Sequence, residues 1–441
     1  MSGTAALAER IVHSQPDARA RDHARQGIAD FLAVSWPVLQ GQVPDSGLPA
    51  LRTVYGDGGI RSQALLLGYA GHALDYDDFH ADFRGHPSVV ILPALFAWLS
   101  GQPAASVEQF CDAYVVGVET AGRLGLAASQ QHYALGYHNT ATLGTLAAAA
   151  ALARFLGLSA AATASLLGIA ATQASGLRAQ FGSAVKPLHA GLAAERAVTS
   201  AQLTLAGMTG RPENVIESFL AASSDGQAQP EKLTQNWGQP WRISAPGLEF
   251  KPFPTCAGTH SAAEAAGLLR QQWLSSGQPL DALLRQIVAI AVAFPPGGDI
   301  AAPVTVPANG IEARFSLEYV IAAMLIYGDL RLSDFAEGDV NPEIMPLAAR
   351  VRRMPDPSAP PDALNPAQRF HRVTLSLSLA DGSTRHQQRT RQELLAEGVD
   401  VGRKLRLALG DSSPELLAHS ALRSTADLQA VTDALLQSLR P

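Results

Sequence analysis

The sequence predicts a mainly α-helical protein with a large all-helical domain and a smaller α+β lid domain. Apolar residues recur at helical spacing through the first part of the chain, and no convincing strand is found before about residue 250. Beyond Lys251 the pattern changes, and stretches with the period of a strand occur. The chain has 441 residues. This is more than one ordinary hydrophobic core accommodates, so two domains are expected.

Helical segments are predicted in order along the first 250 residues. The spacing predicts helix over residues 4–39, with Pro16 as a break. Further helices are expected at residues 64–73, 88–99, 107–126, 141–156, 159–177 and 192–205. The alanine-rich segment 141–156 and the helix that follows it are expected to pair at the centre, because small side chains let helix axes approach closely.

The α+β part is predicted from about residue 251. Residues 287–294 are β-rich, residues 373–379 alternate apolar and polar side chains, and Asp381-Gly382 predicts a hairpin with a returning strand at 384–391. Helix is expected at 315–327 and 332–335, a surface loop at 354–366, and a last helix at 418–439. The predicted domains are therefore residues 1–250 with 400–441, and residues 251–399.

Composition excludes several classes of function. The net charge of −6 and the lack of a basic run argue against a nucleic-acid binder. Cys111 and Cys256 show neither metal-ligand spacing nor a disulfide framework, and no signal peptide is recognised, so a cytoplasmic protein is expected. Two uncharged stretches, 124–153 and 155–177, are rich in small residues, which favours helix packing over a membrane span.

One short segment concentrates ionisable groups in a chain that is only 16% charged. It contains three carboxylates, one arginine and three histidines, namely Asp75, Asp77, Asp78, Arg84, His72, His80 and His86. One interpretation is a turn and capping cluster. A second is a site for a divalent cation, although the ligand spacing fits no known motif. A third is a pocket that binds anions and moves protons.

Other candidate residues are weak when taken singly. His138 is a polar residue near a helix start, where such residues usually act as caps. Lys186 precedes a predicted helix start, where anions bind, and His189 lies one turn further on. His260 lies at the predicted domain junction, which favours pockets, and Tyr319 begins an apolar helix, where it could equally be an interfacial core residue. The chain contains no nucleophile elbow, Walker loop or His-Glu-x-x-His motif.

Taken together, these motifs resemble the MmgE/PrpD family, which includes 2-methylcitrate dehydratases, cis-aconitate decarboxylases and iminodisuccinate epimerases. The matching motifs occur in the family's order over nearly the whole chain. They are His72-Ala73-Leu74-Asp75-Tyr76-Asp77-Asp78, His86-Pro87-Ser88, Gly136-Tyr137-His138-x-Thr140, Lys186-Pro187-Leu188-His189-Ala190-Gly191, Pro254-Thr255-Cys256 with His260, and Phe315-Ser316-x-x-Tyr319.

The resemblance implies a homodimeric enzyme that needs no metal or other cofactor and acts on a small di- or tricarboxylate. It implies that a cleft between helical domain and lid holds the catalytic residues Asp75, His86, His138, Lys186, His260 and Tyr319. Arg84, Lys186, His189 and Gln180 are expected to bind the substrate. Asp75 is expected to fix an imidazole tautomer or to act as a base. The shared chemistry is proton transfer at a carbon next to a carboxylate.

Within the family, the order Arg84-Gly85-His86-Pro87-Ser88 most resembles the iminodisuccinate epimerases. Phe79 stands where decarboxylases tend to have a small hydroxyl residue. An epimerase is therefore the first expectation, with a 2-methylcitrate dehydratase or a cis-aconitate decarboxylase as alternatives. A metal-dependent hydrolase that uses the Asp75 cluster is the alternative from a different class.

Overall fold

The structure, a computed structural model, describes residues 1–100, 105–357, 372–410 and 413–440. The chain forms two compact units. The first contains residues 1–73, 77–250 and 400–441, and the second contains residues 74–76 and 251–399. The described residues are mainly helical with one small sheet, which confirms the predicted fold class.

Nineteen helices and four strands are numbered in chain order within the described part of the chain. The helices are α1 Gly3–Val12, α2 Ala18–Leu39, α3 Gly47–Val54, α4 Ile60–His72, α5 Ser88–Trp98, α6 Val107–Ala134, α7 Asn139–Phe155, α8 Ala160–Ala171, α9 Val185–Leu205, α10 Val215–Ser223, α11 His260–Ser275, α12 Leu280–Gln286, α13 Gly310–Ala313, α14 Leu317–Tyr327, α15 Met345–Ala348, α16 Arg391–Glu397, α17 Val401–Leu409, α18 Pro414–His419 and α19 Thr425–Gln437. The strands are β1 Ile287–Phe294, β2 Val351–Pro355, β3 Val373–Leu379 and β4 Thr384–Arg389.

The core of the first unit is built on helices that are apolar on all sides. Every residue of α5 is buried, and α7 is buried along nearly its whole length. Helices that are apolar all round are stable only inside a protein. They place the start of α7, and with it His138, in the interior of the unit.

Helices α4 and α9 pack with almost no separation at two glycines. A Cβ on Gly191 would lie 2.4 Å from the Leu65 carbonyl oxygen, and one on Gly68 would lie 2.8 Å from the Gly191 Cα. Only glycine fits at these two positions. The close contact brings His72 at the end of α4 towards Lys186 and His189 on α9.

Several helix boundaries differ from the predictions, and two of the differences affect the site. Helix α8 ends at Ala171, because Gly176 and Leu177 pair with residues 136–138 instead. Helix α9 begins at Val185, so Lys186 lies inside its first turn and not before it. Pro187 does not prevent this, because proline is tolerated in a first turn, where amide groups have no helical partner.

The second unit contains a four-stranded sheet in the order β2-β1-β3-β4. Strands β1, β3 and β4 confirm the predicted β segments, and β3 pairs antiparallel with both neighbours. Strand β2 was missed, since residues 354–366 were predicted to be a loop. Val351–Pro355 is a short edge strand that pairs in parallel with β1, and only Val351 is buried. Residues 358–366 lie outside the described residues.

A bilayer crossing requires a helix that is both long and strongly apolar. None of the described helices combines the two properties.

Candidate active site

A loop between α4 and α5 carries His86, and the start of α7 fixes it in place. The His86 amide donates to Thr140 Oγ1 at 3.1 Å, and the Asn139 side-chain amide donates to the Phe83 carbonyl at 2.8 Å. A Cβ on Gly85 would lie 2.9 Å from Thr140 Oγ1. The Arg84-Gly85-His86 sequence therefore folds as a tight connection that holds the His86 imidazole rigidly.

Asp77 links two imidazoles inside the first unit. His72 Nδ1 donates to both Asp77 carboxylate oxygens at 2.9 Å. His86 Nδ1 lies 3.1 Å from Asp77 Oδ2 and donates to the Asp78 carbonyl at 2.7 Å. In a neutral imidazole one nitrogen carries the proton and the other is an acceptor. Both rings therefore present Nε2 as their basic atom.

Burial controls the protonation of this group. Burial lowers the pKa of His72 to about 4, and Asp77 opposes that shift only in part. Burial would raise the pKa of Asp77, but His72 and His86 hold it well below its usual range. At neutral pH His72 is thus a neutral imidazole beside a carboxylate anion. Its Nε2 is buried and has no hydrogen-bond partner among the described residues.

His138 lies close to the same two imidazoles. Its ring centroid lies 6.0 Å from that of His72, and the centroid of His86 lies 4.7 Å from that of His72. The His138 amide donates to the Gly176 carbonyl at 3.0 Å, which explains why α8 ends early. Burial lowers the pKa of His138 well below its usual range, and the positive charges that the neighbouring imidazoles and Lys186 can carry lower it further.

His189 and Lys186 come from the first turns of α9. The His189 Nδ1 lies 3.1 Å from His138 Nδ1. The Lys186 side chain is buried, and its Nζ lies 5.1 Å from the centroid of the Phe181 ring. The same ring meets His138 edge-on, with centroids 5.0 Å apart. The face of an aromatic ring attracts a cation, so Phe181 helps to hold the ammonium group beside the imidazoles.

We call His72, Asp77, His86, His138, Lys186 and His189 the imidazole cluster. Four of its members, His86, His138, Lys186 and His189, are predicted site residues, and the first unit brings all four together. His72 and Asp77 belong to the ionisable segment but were not predicted as site residues. The cluster combines buried neutral bases with one buried ammonium group. Such a set can transfer protons and can stabilise negative charge that develops on a bound acid.

Other predicted residues of the first unit have different surroundings. Arg84 Nη1 donates to the carbonyls of Gly125 and Ser129 at 3.2 and 2.7 Å, so its guanidinium supports the kink of α6 at Ser129. Gln180 is exposed and its amide oxygen accepts from Ser183. A role in substrate binding for Arg84 and Gln180 stays a prediction.

His80, from the same acidic segment, has a structural role. Its Nε2 donates to the Arg242 carbonyl at 3.1 Å, and its Nδ1 accepts from the Phe83 amide at 3.3 Å. Both ring nitrogens therefore hold backbone groups in place.

Three predicted site residues belong to the second unit. Asp75 accepts from Lys251 Nζ at 3.0 Å, with both side chains buried. We expected Asp75 to fix an imidazole tautomer, but in the first unit Asp77 performs that role. His260 Nε2 donates to the Thr255 carbonyl at 3.1 Å.

Tyr319 has surroundings that differ from those of a catalytic acid. Its side chain is fully buried in the core of the second unit. Its hydroxyl accepts from the Asn341 amide at 3.0 Å and lies 3.4 Å from the Asp334 carbonyl oxygen. Burial raises its pKa to about 12. This hydroxyl is anchored to the fold of the second unit, and a catalytic role for Tyr319 stays a prediction.

The acidic segment also raises the question of a metal site. Donor atoms of His72, Asp77 and His86 lie within 4.8 Å of one another. However, Nδ1 of both rings is a hydrogen-bond donor to oxygen, so a metal there would have to replace these bonds. Burial raises the pKa of Asp78 well above its usual range, so Asp78 is a neutral carboxyl that interacts with Ser88. The geometry fits a hydrogen-bonded triad better than a metal centre.

Comparison with known proteins identifies the family. The family model of the MmgE/PrpD N-terminal domain matches residues 4–229, and that of the MmgE/PrpD C-terminal domain matches residues 253–394. The chain belongs to the MmgE/PrpD family. This confirms the resemblance found in the sequence. As a member of this family the chain is an enzyme.

Several members of the MmgE/PrpD family that are similar to this chain are named cis-aconitate decarboxylase. The protein from Homo sapiens is 30% identical over 344 residues, which cover 75% of this chain and 69% of that protein. The one from Mus musculus is 29% identical over 332 residues, covering 73% and 65%. The one from Aspergillus terreus (strain NIH 2624 / FGSC A1156) is 28% identical over 300 residues, covering 63% and 60%. The matched region thus spans 60–69% of the length of these relatives.

Proposed function

We propose that this MmgE/PrpD enzyme transfers a proton at a carbon next to a carboxylate of a small carboxylic acid. Decarboxylation of a tricarboxylate of the cis-aconitate type is the first candidate reaction, because several relatives are named for it. The observation that carries the proposal is the imidazole cluster. It holds three histidines with lowered pKa values, His72, His138 and His189, beside the buried Lys186.

The proposed decarboxylation is an acid-catalysed replacement of carbon dioxide by a proton. The bond between the carbon chain and one carboxylate breaks, and its electron pair stays on the chain, where the neighbouring double bond and a second carboxylate delocalise it. A proton from an imidazolium then forms the new carbon–hydrogen bond. The balance needs one proton and no oxidant, so acid–base groups are sufficient for this reaction.

Lys186 supplies the cation that this reaction needs. A buried ammonium group attracts a carboxylate strongly, because little water competes for either charge. Its position beside Phe181 and next to His138 places this charge at the imidazoles that would exchange protons with the bound acid. The same charge also lowers the pKa of His72 and His138, which makes the corresponding imidazolium ions better proton donors.

Epimerisation of an iminodisuccinate-type acid is the second candidate, and Phe79 favours it. The Phe79 ring meets His86 edge-on with centroids 5.8 Å apart, where decarboxylases tend to have a small hydroxyl residue. An epimerase removes a proton from one face of a carbon and returns it to the other, so it uses two acid–base groups. His72 on Asp77 and His138 on His189 are two such groups.

A panel assay distinguishes the reactions. We would incubate the full chain with cis-aconitate, 2-methylcitrate and iminodisuccinate in deuterium oxide and follow substrate and product by proton NMR. Decarboxylation releases carbon dioxide and leaves deuterium in the product. Epimerisation exchanges the α-hydrogen without releasing carbon dioxide, and dehydration creates a double bond. Absence of all three changes would overturn the proposal. The homodimer and the cytoplasmic location stay predictions.

A further inference from the structure

The pair formed by His138 and His189 has a chemical requirement of its own. Their Nδ1 atoms lie 3.1 Å apart, which is a hydrogen-bond distance. Both side chains are buried, with exposed fractions of 2% for His138 and 7% for His189. Two nitrogens at this distance share one proton, so one ring must donate through Nδ1 and the other must accept. The two rings are therefore opposite tautomers.

We propose that His189 is a positioning residue that accepts the Nδ1 proton of His138 and so presents His138 Nε2 to the substrate. The inference rests on the proposed function, because it assigns how one member of the imidazole cluster is oriented for proton transfer. It goes beyond the expected substrate-binding role of His189, since in this arrangement His189 acts through His138.

The acceptor role of His189 fits every stage of proton transfer. Neutral His138 with a proton on Nδ1 has its lone pair on Nε2 and can take a proton. The imidazolium formed keeps its Nδ1 hydrogen bond to His189 and releases the new proton from Nε2. With the opposite assignment His189 would donate to Nδ1, and protonation of His138 would place two N–H groups against each other. The geometry thus favours His189 as the acceptor.

The fold holds the two rings in this relationship. The His138 backbone is fixed by the Gly176 carbonyl, and a Cβ on Gly176 would lie 3.5 Å from His189 Nδ1 and 2.4 Å from the Ala141 Cβ. Gly176 has a φ of +149°. A Cβ at this position would overlap Ala141 Cβ and would only touch His189 at an ordinary contact distance, so glycine is required for the backbone that fixes His138.

The arrangement also gives His72 and His138, the two proton carriers of the cluster, different acidities. His72 donates Nδ1 to the Asp77 carboxylate, which stabilises a positive charge on the ring. His138 donates to a neutral imidazole, which stabilises such a charge less. Its imidazolium is then the stronger acid of the two, as protonation of a carbanion requires.

Nitrogen-15 NMR of the imidazole rings tests the proposal directly, since protonated and unprotonated ring nitrogens resonate far apart. The signals are assigned with His138→Gln and His189→Asn. At neutral pH we expect His138 to be protonated on Nδ1 and His189 on Nε2. His189→Ala should shift His138 towards the Nε2-protonated form and lower kcat by about 10- to 100-fold, with a smaller change in KM. His189→Asn places an amide oxygen near the former Nδ1 position and should restore both.

The outcomes separate this proposal from the proposed function. If wild-type His138 is protonated on Nε2, or if its tautomer is the same in His189→Ala as in the wild type, the positioning role is overturned. The wild-type spectrum decides this even if His189→Ala does not fold. His23→Gln, at a histidine that contacts Ser244, serves as the control and should leave the His138 signals and kcat unchanged. A wild-type enzyme that is inactive on every acid overturns the proposed function without affecting the NMR test.

Discussion

His72 Nδ1 lies 2.9 Å from each carboxylate oxygen of Asp77, and both side chains are almost completely buried. Asp77 fixes the tautomer of His72, in the same way that His189 is proposed to fix the tautomer of His138. The charge of the pair formed by His72 and Asp77 has no water around it, so the pair is expected to matter for both stability and catalysis. Two buried imidazoles with different partners give the cluster two proton carriers of different acidity.

Asp77→Asn should reduce both the stability of the protein and its catalytic rate. The amide has no negative charge, and its NH2 group replaces one of the two oxygens that lie 2.9 Å from His72 Nδ1, so one accepting atom of the buried His72 N–H is lost. We expect the free energy of unfolding to fall by about 3 kcal/mol and kcat to fall by about 10²-fold. Denaturant unfolding and steady-state kinetics measure the two effects.

The matched control for Asp77→Asn is Asp82→Asn. Asp82 accepts from Arg242 Nη1 at 2.7 Å in the same loop, and its side chain is 14% exposed. This change should cost about 1 kcal/mol or less and leave kcat unchanged. Equal losses of kcat in the two variants would contradict the role of Asp77.

Lys186→Ala should weaken substrate binding more than it slows the chemical step. Loss of a charged hydrogen bond to a carboxylate costs about 2–3 kcal/mol, which corresponds to a decrease of roughly 30- to 200-fold in kcat/KM. Most of this should appear as a higher KM. Lys232→Ala, at a half-buried lysine in a short 3-10 turn, is the control and should change neither constant. Wild-type kinetics in Lys186→Ala would refute the role of this ammonium group.

Much of the fold was predictable from the sequence because its pattern is regular. The apolar period of a helix such as α1 and the alternation in β3 come from one buried face. Strand β2 lacked this signal, since its single buried residue is Val351. The start of α9 was placed too late because Pro187 resembles a break, although its missing amide hydrogen costs nothing in a first turn.

The sequence predicts most of the residues that form the site, but only some of the contacts between them. The chain order places His86, His138 and Lys186 near helix ends, where polar residues stand out in an apolar chain. The sequence could not decide between Asp75 and Asp77, which differ by two positions in one turn region. The contact between Lys251 and Asp75 could not be predicted from the sequence, because the two residues are 176 positions apart. The meeting of His138 with His189 depends on the short pairing at Gly176, which no local pattern reveals.

Gly191→Ala should destabilise the contact between α4 and α9. The new Cβ would lie 2.4 Å from the Leu65 carbonyl oxygen, so the helices must separate. We expect the free energy of unfolding to fall by about 1–3 kcal/mol, measured by denaturant titration. Gly402→Ala in α17 is the control, because its Cβ meets only flexible side-chain ends at 3.3 Å. That variant should be as stable as the wild type or more stable by up to about 1 kcal/mol.

His132 should make the stability of the protein depend on pH. Burial lowers its pKa to about 4, against 6.5 in an unfolded chain. As the pH falls from about 6.5 to 4, the unfolded chain binds a proton that the folded protein does not, so the free energy of unfolding decreases. His132 lowers the free energy of unfolding by about 1.4 kcal/mol for each pH unit in this range, and by about 3 kcal/mol in total at pH 4.

His132→Gln removes this titration and should give a shallower decrease over the same pH range. Urea unfolding of both proteins between about pH 7 and pH 4 measures the difference. Parallel curves for the two proteins would show that the His132 pKa is the same in the folded and the unfolded chain.

The incorporation of solvent deuterium tests the central claim that the imidazole cluster transfers a proton to or from carbon. We test the wild-type chain in deuterium oxide. With cis-aconitate, we predict a product that carries deuterium either at the carbon that lost carbon dioxide or at the far carbon of the adjacent double bond. With iminodisuccinate, the alternative prediction is that the α-hydrogen exchanges for deuterium. His138→Gln should slow this incorporation by about 10²- to 10⁴-fold, and His23→Gln should not. If no acid of the panel acquires deuterium, or if His138→Gln incorporates it at the wild-type rate, the claim is contradicted.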